Sequence, residues 1–335
     1  MMSAAPLTSR NTVQEWLEDE VGGPILRGLL ARGGQSEDDL KPVRGLSLRS
    51  LVELGGGRFP QELVDTLVRE ANGGVMPPEE TEETAPAAGG LRFAGKTVIV
   101  TGAGSGIGRA TAQRIVAEGG RVISVDVAGD RLDELVRVSP EGTVVPVVAD
   151  ITSTEGVEAI VAAAGERIDG LANVAGIMDG MMPLHETEDA LWRRVFSVNV
   201  DGTFALSRAV LPTMMAQGRG AIVNVASEAS LRGNAAGTAY TASKHAVVGI
   251  TRSSAFLYGP SGVRTNAVAP GPTATAIEGS MSSSFARERL GAFMALIPPV
   301  VDAGTIAASI TWLLSEDSTN VNGVILASDG GWSVQ

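Results

Sequence analysis

Tyr240 and Lys244 form the pair of side chains whose spacing most clearly indicates chemistry. They stand at positions i and i+4, so they share one face if the segment is helical. An ammonium group beside a phenol stabilises the phenolate, lowers the tyrosine pKa towards neutrality and prepares the side chain for proton exchange. Ser227 lies upstream, at the end of an apolar run. The three residues together predict a proton-transfer site that includes a hydroxyl group.

A glycine-rich turn far upstream indicates a second kind of chemistry. Residues 101–108 read Thr-Gly-Ala-Gly-Ser-Gly-Ile-Gly and directly follow an apolar run. Glycines let the backbone approach a ligand, and a helix that begins near Ser105 or Gly106 would point its first free N–H groups at a pyrophosphate. The strand–turn–helix context therefore predicts a dinucleotide site. Its predicted contacts are Gly102, Ser105, Gly106, Ile107 and Gly108.

Asp126 ends the next predicted strand and indicates which dinucleotide binds. A carboxylate at this position can accept hydrogen bonds from both adenosine ribose hydroxyls, and it would repel a 2′-phosphate. The following residue is Val127 and not an arginine that could neutralise that phosphate. The sequence therefore favours NAD over NADP, the alternative being that Asp126 is only a solvated strand end.

Composition and charge exclude several classes of function. The chain has 335 residues, 44% hydrophobic and 19% charged, with a net charge of −12. This charge argues against general nucleic-acid binding, which needs a basic surface. With no cysteine and two histidines, the chain offers little for a metal site. No apolar run reaches the length of a membrane span and the amino terminus lacks a signal-peptide core, so we expect a cytoplasmic protein without a membrane partner.

The chain is predicted to have three parts. Residues 1–72 are expected to form a small helical module that packs and supplies no chemistry. Its first helix is predicted by the capping-box pattern Thr-Val-Gln-Glu and by apolar residues at helical spacing. These apolar residues are Val13, Trp16, Leu17 and Val21. Residues 73–90, rich in proline, glycine and glutamate, are predicted to form a linker, and residues 91–335 the main domain.

The main domain alternates between short apolar runs and helix-compatible segments. The runs lie at 97–101, 121–126, 144–149, 171–174, 221–225, 263–268 and 323–327. This alternation predicts an α/β fold with a parallel sheet covered by helices. Right-handed crossovers and the early glycine turn make the predicted sheet doubly wound, as in a Rossmann fold.

These motifs together resemble the classical short-chain dehydrogenase/reductase family, over residues 91–335. Thr101 and three glycines match its Thr-Gly-x-x-x-Gly-x-Gly turn, and Val174 replaces an asparagine of its Asn-Asn-Ala-Gly motif. The resemblance implies catalytic roles for Asn199, Ser227, Tyr240 and Lys244. The further cofactor-binding residues that it implies are Asp150, Ile151, Asn173, Ala175, Gly176, Tyr240, Lys244, Pro270, Gly271, Thr273 and Thr275.

The implied reaction interconverts a secondary alcohol and a ketone. Tyr240 would exchange the proton, Lys244 would favour the phenolate and grip the nicotinamide ribose, and Ser227 would position the substrate oxygen. Asn199 would hold a water that connects Lys244 to solvent. The resemblance also implies a homo-oligomer, a tetramer or a dimer. Two alternatives stay open: an NADPH-dependent carbonyl reductase and a non-catalytic NAD-binding sensor or scaffold.

The substrate is indicated only by its surroundings. Met178, Met181 and Met182 follow Gly176, and methionines line adaptable apolar pockets. A serine-rich stretch at 279–286, with Met281 and Phe285, could form a mobile lid. We expect a bulky, weakly polar and cyclic alcohol or ketone.

Overall fold

The structure is a computed structural model that describes residues 6–54, 59–77, 91–275 and 281–334. The chain divides into two compact units. The first unit contains Met1–Pro86, Pro272–Ala276 and Pro298–Asp302, and the second contains Ala87–Gly271, Ile277–Ile297 and Ala303–Gln335. Most of the predicted linker, from residue 78 onward, lies outside the described residues, as do residues 279–280 of the predicted lid.

Four helices form most of the first unit. They are α1 (Val13–Glu18), α2 (Gly22–Arg32), α3 (Leu48–Leu54) and α4 (Gln61–Ala71). The predicted capping box starts α1: the Glu15 N–H donates to the Thr12 hydroxyl over 3.1 Å, and the Thr12 N–H donates to the Glu15 carboxylate over 2.7 Å. Trp16 is fully buried among leucines and valines of the other helices. The module therefore has an apolar core of its own.

The predicted apolar face of α1 was wrong at one position. Val21 is 53% exposed because α1 already ends at Glu18. The Asp19 carboxylate accepts the N–H groups of Val21 and Gly22 there, so the chain turns before Val21 can join the apolar face of the helix.

Two later segments complete the first unit. Pro272–Ala276 pairs with Pro298–Asp302, since the Val301 N–H donates to the Pro272 carbonyl over 3.1 Å and the Ala274 N–H to the Val301 carbonyl over 2.8 Å. The Val300 N–H donates to the carbonyl of Pro42, in the amino-terminal part of the unit, over 3.1 Å. The first unit therefore contains two short segments from the carboxyl-terminal part of the chain, which pair with each other.

The second unit is built on a seven-stranded parallel sheet in the order β3-β2-β1-β4-β5-β6-β7. The strands are β1 (Thr97–Thr101), β2 (Arg121–Asp126), β3 (Val144–Val148), β4 (Gly170–Asn173), β5 (Gly220–Val225), β6 (Val263–Pro270) and β7 (Ile325–Ser328). The predicted Rossmann fold is confirmed. The order reverses between β1 and β4, and ligands of such sheets bind at the carboxyl ends of the strands beside this point.

Helices alternate with these strands. They are α5 (Gly106–Ala117), α6 (Gly129–Arg137), α7 (Thr154–Ala164), α8 (Asp189–Phe196), α9 (Thr203–Ala216), α10 (Thr238–Tyr258), α11 (Ser284–Met294) and α12 (Ala303–Leu314). A π-helical turn, Ser197–Gly202, joins α8 to α9. The buried face of α9 packs with α7 against isoleucines of β1, β2 and β5. Within the described part of the chain, no helix is long and apolar enough to cross a membrane.

Candidate active site

In the turn between β1 and α5, the backbone at Gly108 lies close to the backbone at Gly102. Gly102 and Gly106 have φ angles of 66° and 50°, in the region that favours glycine. A Cβ on Gly108 would lie 2.1 Å from the Gly102 carbonyl oxygen, so only glycine fits there. Among the described residues, no side chain caps the Ser105 end of α5. The first N–H groups of α5, from Gly106 to Gly108, thus suit a pyrophosphate.

Asp126 lies against this turn. Its carboxylate accepts the Gly104 N–H and the Ala128 N–H, each over 3.0 Å. A Cβ on Gly104 would lie 2.9 Å from the Asp126 carboxyl carbon and 3.0 Å from the Cβ of Arg131. The carboxylate is therefore held at the turn, as its predicted role requires. Sequence inspection missed Arg131 because it stands on α6 and not beside Asp126 in the chain.

Hydrogen bonds fix the loops that follow β3 and β4. The Asp150 carboxylate accepts the Thr152 N–H over 2.9 Å and the Thr152 hydroxyl over 2.7 Å, and these bonds lower the Asp150 pKa. Ile151 is buried against Gly202. The Thr101 hydroxyl accepts the N–H groups of Val174 and Ala175, each over 3.0 Å. The first turn and the loop after β4 are thus tied together.

Asn173 belongs to a buried chain of amides and hydroxyls. Its amide donates to the Ser207 hydroxyl over 3.0 Å and to the Asn224 side-chain oxygen over 2.9 Å. Asn224 in turn donates to the Thr251 hydroxyl over 2.9 Å. The network links β4, β5, α9 and α10, although the buried side-chain oxygen of Asn173 has no partner in it. Sequence inspection found only Asn173 of these four residues.

Asn199 lies in the π-helical turn and is almost fully buried. Its side-chain oxygen accepts the Ile177 N–H over 2.9 Å, and its amide donates to the Ile177 carbonyl over 3.0 Å and the Ser243 hydroxyl over 3.1 Å. A Cβ on Gly176 would lie 3.2 Å from the Asn199 oxygen and 3.4 Å from the Lys244 Nζ. Asn199 therefore joins the loop after β4 to α10 beside Lys244.

Tyr240, Lys244 and Ser227 lie together at the carboxyl end of β5. Helix α10 carries Tyr240 and Lys244, and the Lys244 Nζ lies 5.5 Å from the centre of the Tyr240 ring. The ammonium is buried and donates to the Val225 carbonyl over 2.7 Å. Ser227 begins a short 3₁₀ turn just after β5, where its hydroxyl accepts the Ala229 N–H over 3.1 Å and lies close enough to the phenol to lower the Tyr240 pKa.

The expected lowering of the tyrosine pKa was wrong for the protein alone. Burial raises the pKa of Tyr240 to about 12, although the Ser227 hydrogen bond lowers it in part and the Asp179 charge raises it further. Burial also lowers the pKa of Lys244 to about 8. Desolvation disfavours the charged form of both groups and is the largest cause of each shift.

Apolar side chains surround Tyr240 on the substrate side. Met178 and Ile297 pack with it against Ala235, Ala236 and Trp332. Met181 has a φ of 56°, which is rare for a residue with a side chain.

The described part of the predicted lid touches the same region. The Ser282 N–H donates to the Gly180 carbonyl over 3.3 Å, and the Phe285 ring packs edge-on against His185 at 5.1 Å. The mobility of this segment stays a prediction.

Asp179 is the main site residue that sequence inspection missed. It is almost fully buried, and its carboxylate accepts the backbone N–H of Tyr240 over 2.9 Å and that of Met181 over 3.1 Å. The only available signal was an acidic residue inside an apolar, methionine-rich loop.

The remaining predicted cofactor residues follow β6. A Cβ on Gly271 would lie 2.7 Å from the Asp329 Cα, and the Gly271 N–H donates to the Ser328 carbonyl over 3.1 Å. Pro270 ends β6. Thr273 and Thr275 belong to the first unit, where Thr273 pairs with Val301. Their predicted contact with a nicotinamide stays a prediction.

Comparisons with known proteins agree with this geometry. The family model for short chain dehydrogenases matches residues 96–285. Levodione reductase of Leifsonia aquatica is 39% identical over 263 residues, which cover 75% of this chain and 98% of that protein.

Solved structures agree as well. A crystal structure of levodione reductase matches with a TM-score of 0.66 and 37% identity, over 72% of this chain and 99% of the other. A candidate NAD(P)-dependent gluconate 5-dehydrogenase from Beutenbergia cavernae, with bound NADP at low occupancy, matches with a TM-score of 0.65 and 36% identity, over 74% and 100% of the two chains. The glycine-rich turn, the parallel sheet and these relatives together show that the chain belongs to the short-chain dehydrogenase/reductase family, whose members are oxidoreductases that use a nicotinamide cofactor.

Proposed function

We propose that the protein is an NAD-dependent oxidoreductase that interconverts a bulky, weakly polar secondary alcohol and its ketone, with Tyr240 as the general acid and base. The observation that carries this proposal is the cluster of Tyr240, Ser227 and Lys244 at the end of β5, beside Asn199. The bound cofactor supplies the hydride, or accepts it in the reverse direction.

The protein's own residues handle the proton. In ketone reduction, the protonated Tyr240 donates to the developing alkoxide oxygen, and the Ser227 hydroxyl holds that oxygen in place. In alcohol oxidation, Tyr240 accepts the proton. Its raised pKa keeps the phenol protonated at neutral pH, which is the form that donates in ketone reduction. Lys244, whose pKa of about 8 leaves it charged at pH 7, stabilises the phenolate formed after donation.

Cofactor preference is proposed from Asp126. Its carboxylate, held by the Gly104 and Ala128 N–H groups, can accept the ribose hydroxyls of NAD and would repel the 2′-phosphate of NADP. The second candidate, an NADPH-dependent carbonyl reductase, is favoured by one observation. Arg131 lies close to the same turn, and an arginine near this position can accommodate a 2′-phosphate. The similar structure with bound NADP keeps this candidate open.

The substrate class is proposed from the walls around Tyr240. Met178, Ile297 and Trp332 present apolar and adaptable surface there, which suits a bulky and cyclic carbon skeleton. A relative named as the reductase of a dione supports a ketone as the oxidised partner.

We further propose a division into a helical module (residues 1–72), a linker (73–90) and a catalytic domain (91–335). The module would tune assembly or access to the pocket and supply no chemistry, since the fully buried side chains of its described residues are all apolar. The catalytic domain would form a homotetramer or a dimer. Phe256 and Leu257 at the end of α10 are 84% and 60% exposed, and Phe204 on α9 is 48% exposed, so both helices present apolar surface to a second copy.

A substrate screen tests the proposed function. Cyclic and linear secondary alcohols with NAD, and the matching ketones with NADH, should give a change in NADH absorbance that depends on the substrate. The same screen with NADP and NADPH should give lower kcat/KM values. Cofactor binding without turnover of any alcohol or ketone would overturn the enzymatic assignment, and an NADPH advantage would establish the second candidate.

A further inference from the structure

Helix α10 carries both Tyr240 and Lys244, and a residue far away in the sequence caps its amino end. Gly237, at the N-cap position, makes no side-chain hydrogen bond to the helix. The Asp179 carboxylate instead accepts the Tyr240 N–H over 2.9 Å. An anion at the first turn of a helix satisfies a free N–H group and interacts favourably with the helix dipole.

The same loop makes a second bond to this turn. The Met182 carbonyl accepts the Thr238 N–H over 2.9 Å, and the other Asp179 oxygen accepts the Met181 N–H over 3.1 Å. The loop from Asp179 to Met182 is therefore fastened both to itself and to the helix. Because one attachment is the backbone N–H of Tyr240, a shift of this loop would move the phenol.

The approach of loop and helix requires a glycine at position 237. A Cβ added to Gly237 would lie 2.4 Å from one Asp179 carboxylate oxygen and 2.5 Å from the Met182 backbone nitrogen. Such distances are well below van der Waals contact, so any side chain at Gly237 would push the loop away. Asp179 is only 2% exposed, so its side chain cannot move out into solvent to make room for a Cβ at position 237.

We propose that Asp179 is a positioning residue, which sets the place of the Tyr240 phenol by capping α10 from the substrate loop. This inference rests on the proposed role of Tyr240 in proton transfer. It assigns Asp179 no contact with the substrate and no proton of its own. A displacement of about 1 Å at a reacting group can lower a rate about 100-fold. Loss of the cap should therefore lower kcat more than it changes the binding of cofactor or substrate.

Three variants test this role in the full-length chain. Asp179→Ala removes the acceptor, and we expect kcat to fall at least tenfold while KM and the Kd for NADH stay within about threefold. Asp179→Asn keeps one oxygen acceptor for the Tyr240 N–H but loses the acceptor of the Met181 N–H, so it should retain more of kcat than Asp179→Ala. Gly237→Ala leaves Asp179 intact but displaces the loop, and it should lower kcat as Asp179→Ala does. Asp189→Ala, which removes an exposed aspartate of α8, is the matched control and should leave all values unchanged.

The outcomes separate this inference from the proposed function. The inference is overturned if Asp179→Ala keeps the parent kcat, or if kcat, NADH affinity and Tm fall together in Asp179→Ala and Asp179→Asn alike. Tyr240→Phe is measured in parallel. Full activity of Tyr240→Phe would remove the proposed proton-transfer role itself, whereas an inactive Tyr240→Phe with an unimpaired Asp179→Ala would reject only the positioning role. If Asp179→Ala does not fold, Gly237→Ala with Asp179→Asn decides the question.

Discussion

The interiors of the two units differ in chemistry. In the described residues of the amino-terminal module, the fully buried side chains are all apolar, with Trp16 among the largest. The second unit buries asparagines, serines and threonines, and it also buries the charged Lys244. Burial of an unpaired polar group costs about 1–3 kcal/mol in mutational series, and hydrogen bonds such as those of Asn173, Asn199 and Asn224 offset much of this cost.

The difference between a polar and an apolar interior indicates which unit can carry out a reaction. Part of the polar interior of the second unit lies at the carboxyl ends of β4 and β5, where Asn173 bonds Asn224, Asn199 holds the loop after β4, and Asp179 accepts the Tyr240 N–H. In the part of the module that the structure describes, the apolar interior stabilises the fold and contains no acidic or basic side chain. We therefore expect substitutions in the two interiors to act on different quantities, rate in one and stability in the other.

Tyr240→Phe should have the largest effect. Without the phenolic hydroxyl, the substrate oxygen loses its proton donor, and turnover should fall by about 10²–10⁴-fold. NADH binding, measured by fluorescence titration, should change little. Tyr258→Phe is the matched control, because it removes the hydroxyl of the chain's only other tyrosine. If the kcat of Tyr240→Phe stays within a few-fold of the parent value, Tyr240 is not the proton donor.

Asp126→Ala should change cofactor choice. A hydrogen bond to a charged group is worth about 1.5–3 kcal/mol, so the ratio of kcat/KM for NAD to that for NADP should fall at least about tenfold. If Arg131 contributes to NADP binding, adding Arg131→Ala to Asp126→Ala should lower kcat/KM for NADP again. Asp130→Ala, an exposed neighbour on α6, is the control. An unchanged ratio in Asp126→Ala would show that Asp126 only caps its turn.

The buried lysine should make stability depend on pH. The pKa of Lys244 is lowered in the folded protein from 10.5 to about 8. Between these values the unfolded chain binds more protons than the folded one, so this group makes stability rise with pH. Between pH 8 and pH 9 its contribution should increase the free energy of unfolding by about 1 kcal/mol. Urea unfolding at both pH values gives the change in the free energy of unfolding with pH, and this change should be larger for the parent than for Lys244→Met. An equal change with pH in both proteins would contradict the lowered pKa of Lys244.

Removal of the amino-terminal module should have the smallest effect on chemistry. A chain that begins at residue 91 should fold, bind NADH and keep kcat within a few-fold, with a changed KM or stability. In the full chain, Trp16→Ala should weaken the core of the module by about 3–5 kcal/mol and likewise spare kcat. Oligomeric mass and steady-state kinetics are measured beside the parent. A truncated protein that folds and binds NADH without turnover would place part of the active site in the module.

Local patterns predicted the fold closely. The first two predicted strands, at 97–101 and 121–126, have the bounds seen in the structure, because apolar runs of buried parallel strands end where polar turns begin. The last strand begins at Ile325 and not at residue 323, since Gly323 has a φ of 84° and precedes the ladder. The capping box of α1 was also visible in sequence, because its two partners are three residues apart.

The site was predictable where family motifs mark it and not where distant residues meet. Asn199, Ser227, Tyr240 and Lys244 lie together in the structure, and their catalytic roles stay a prediction. Asp179 was not predicted, because its partner Tyr240 is 61 residues away and no local pattern connects them. The pKa of Tyr240 was predicted in the wrong direction, because spacing shows the nearby ammonium but not the burial of the phenol, which is the largest cause of the shift.

The π-helical turn at Ser197–Gly202 has a consequence for how this chain can vary in length. A π turn contains more residues per turn than an α-helix, so loss of one residue there could restore regular α-helical geometry. Each residue of an α-helix advances the azimuth by about 100°, and the whole of α9 would rotate by that amount relative to α8. Leu206 and Val210 would leave the core, and Ser207 would lose Asn173. The irregular turn is thus held by the elements on both sides, and we expect deletion of one of its residues to destabilise the fold.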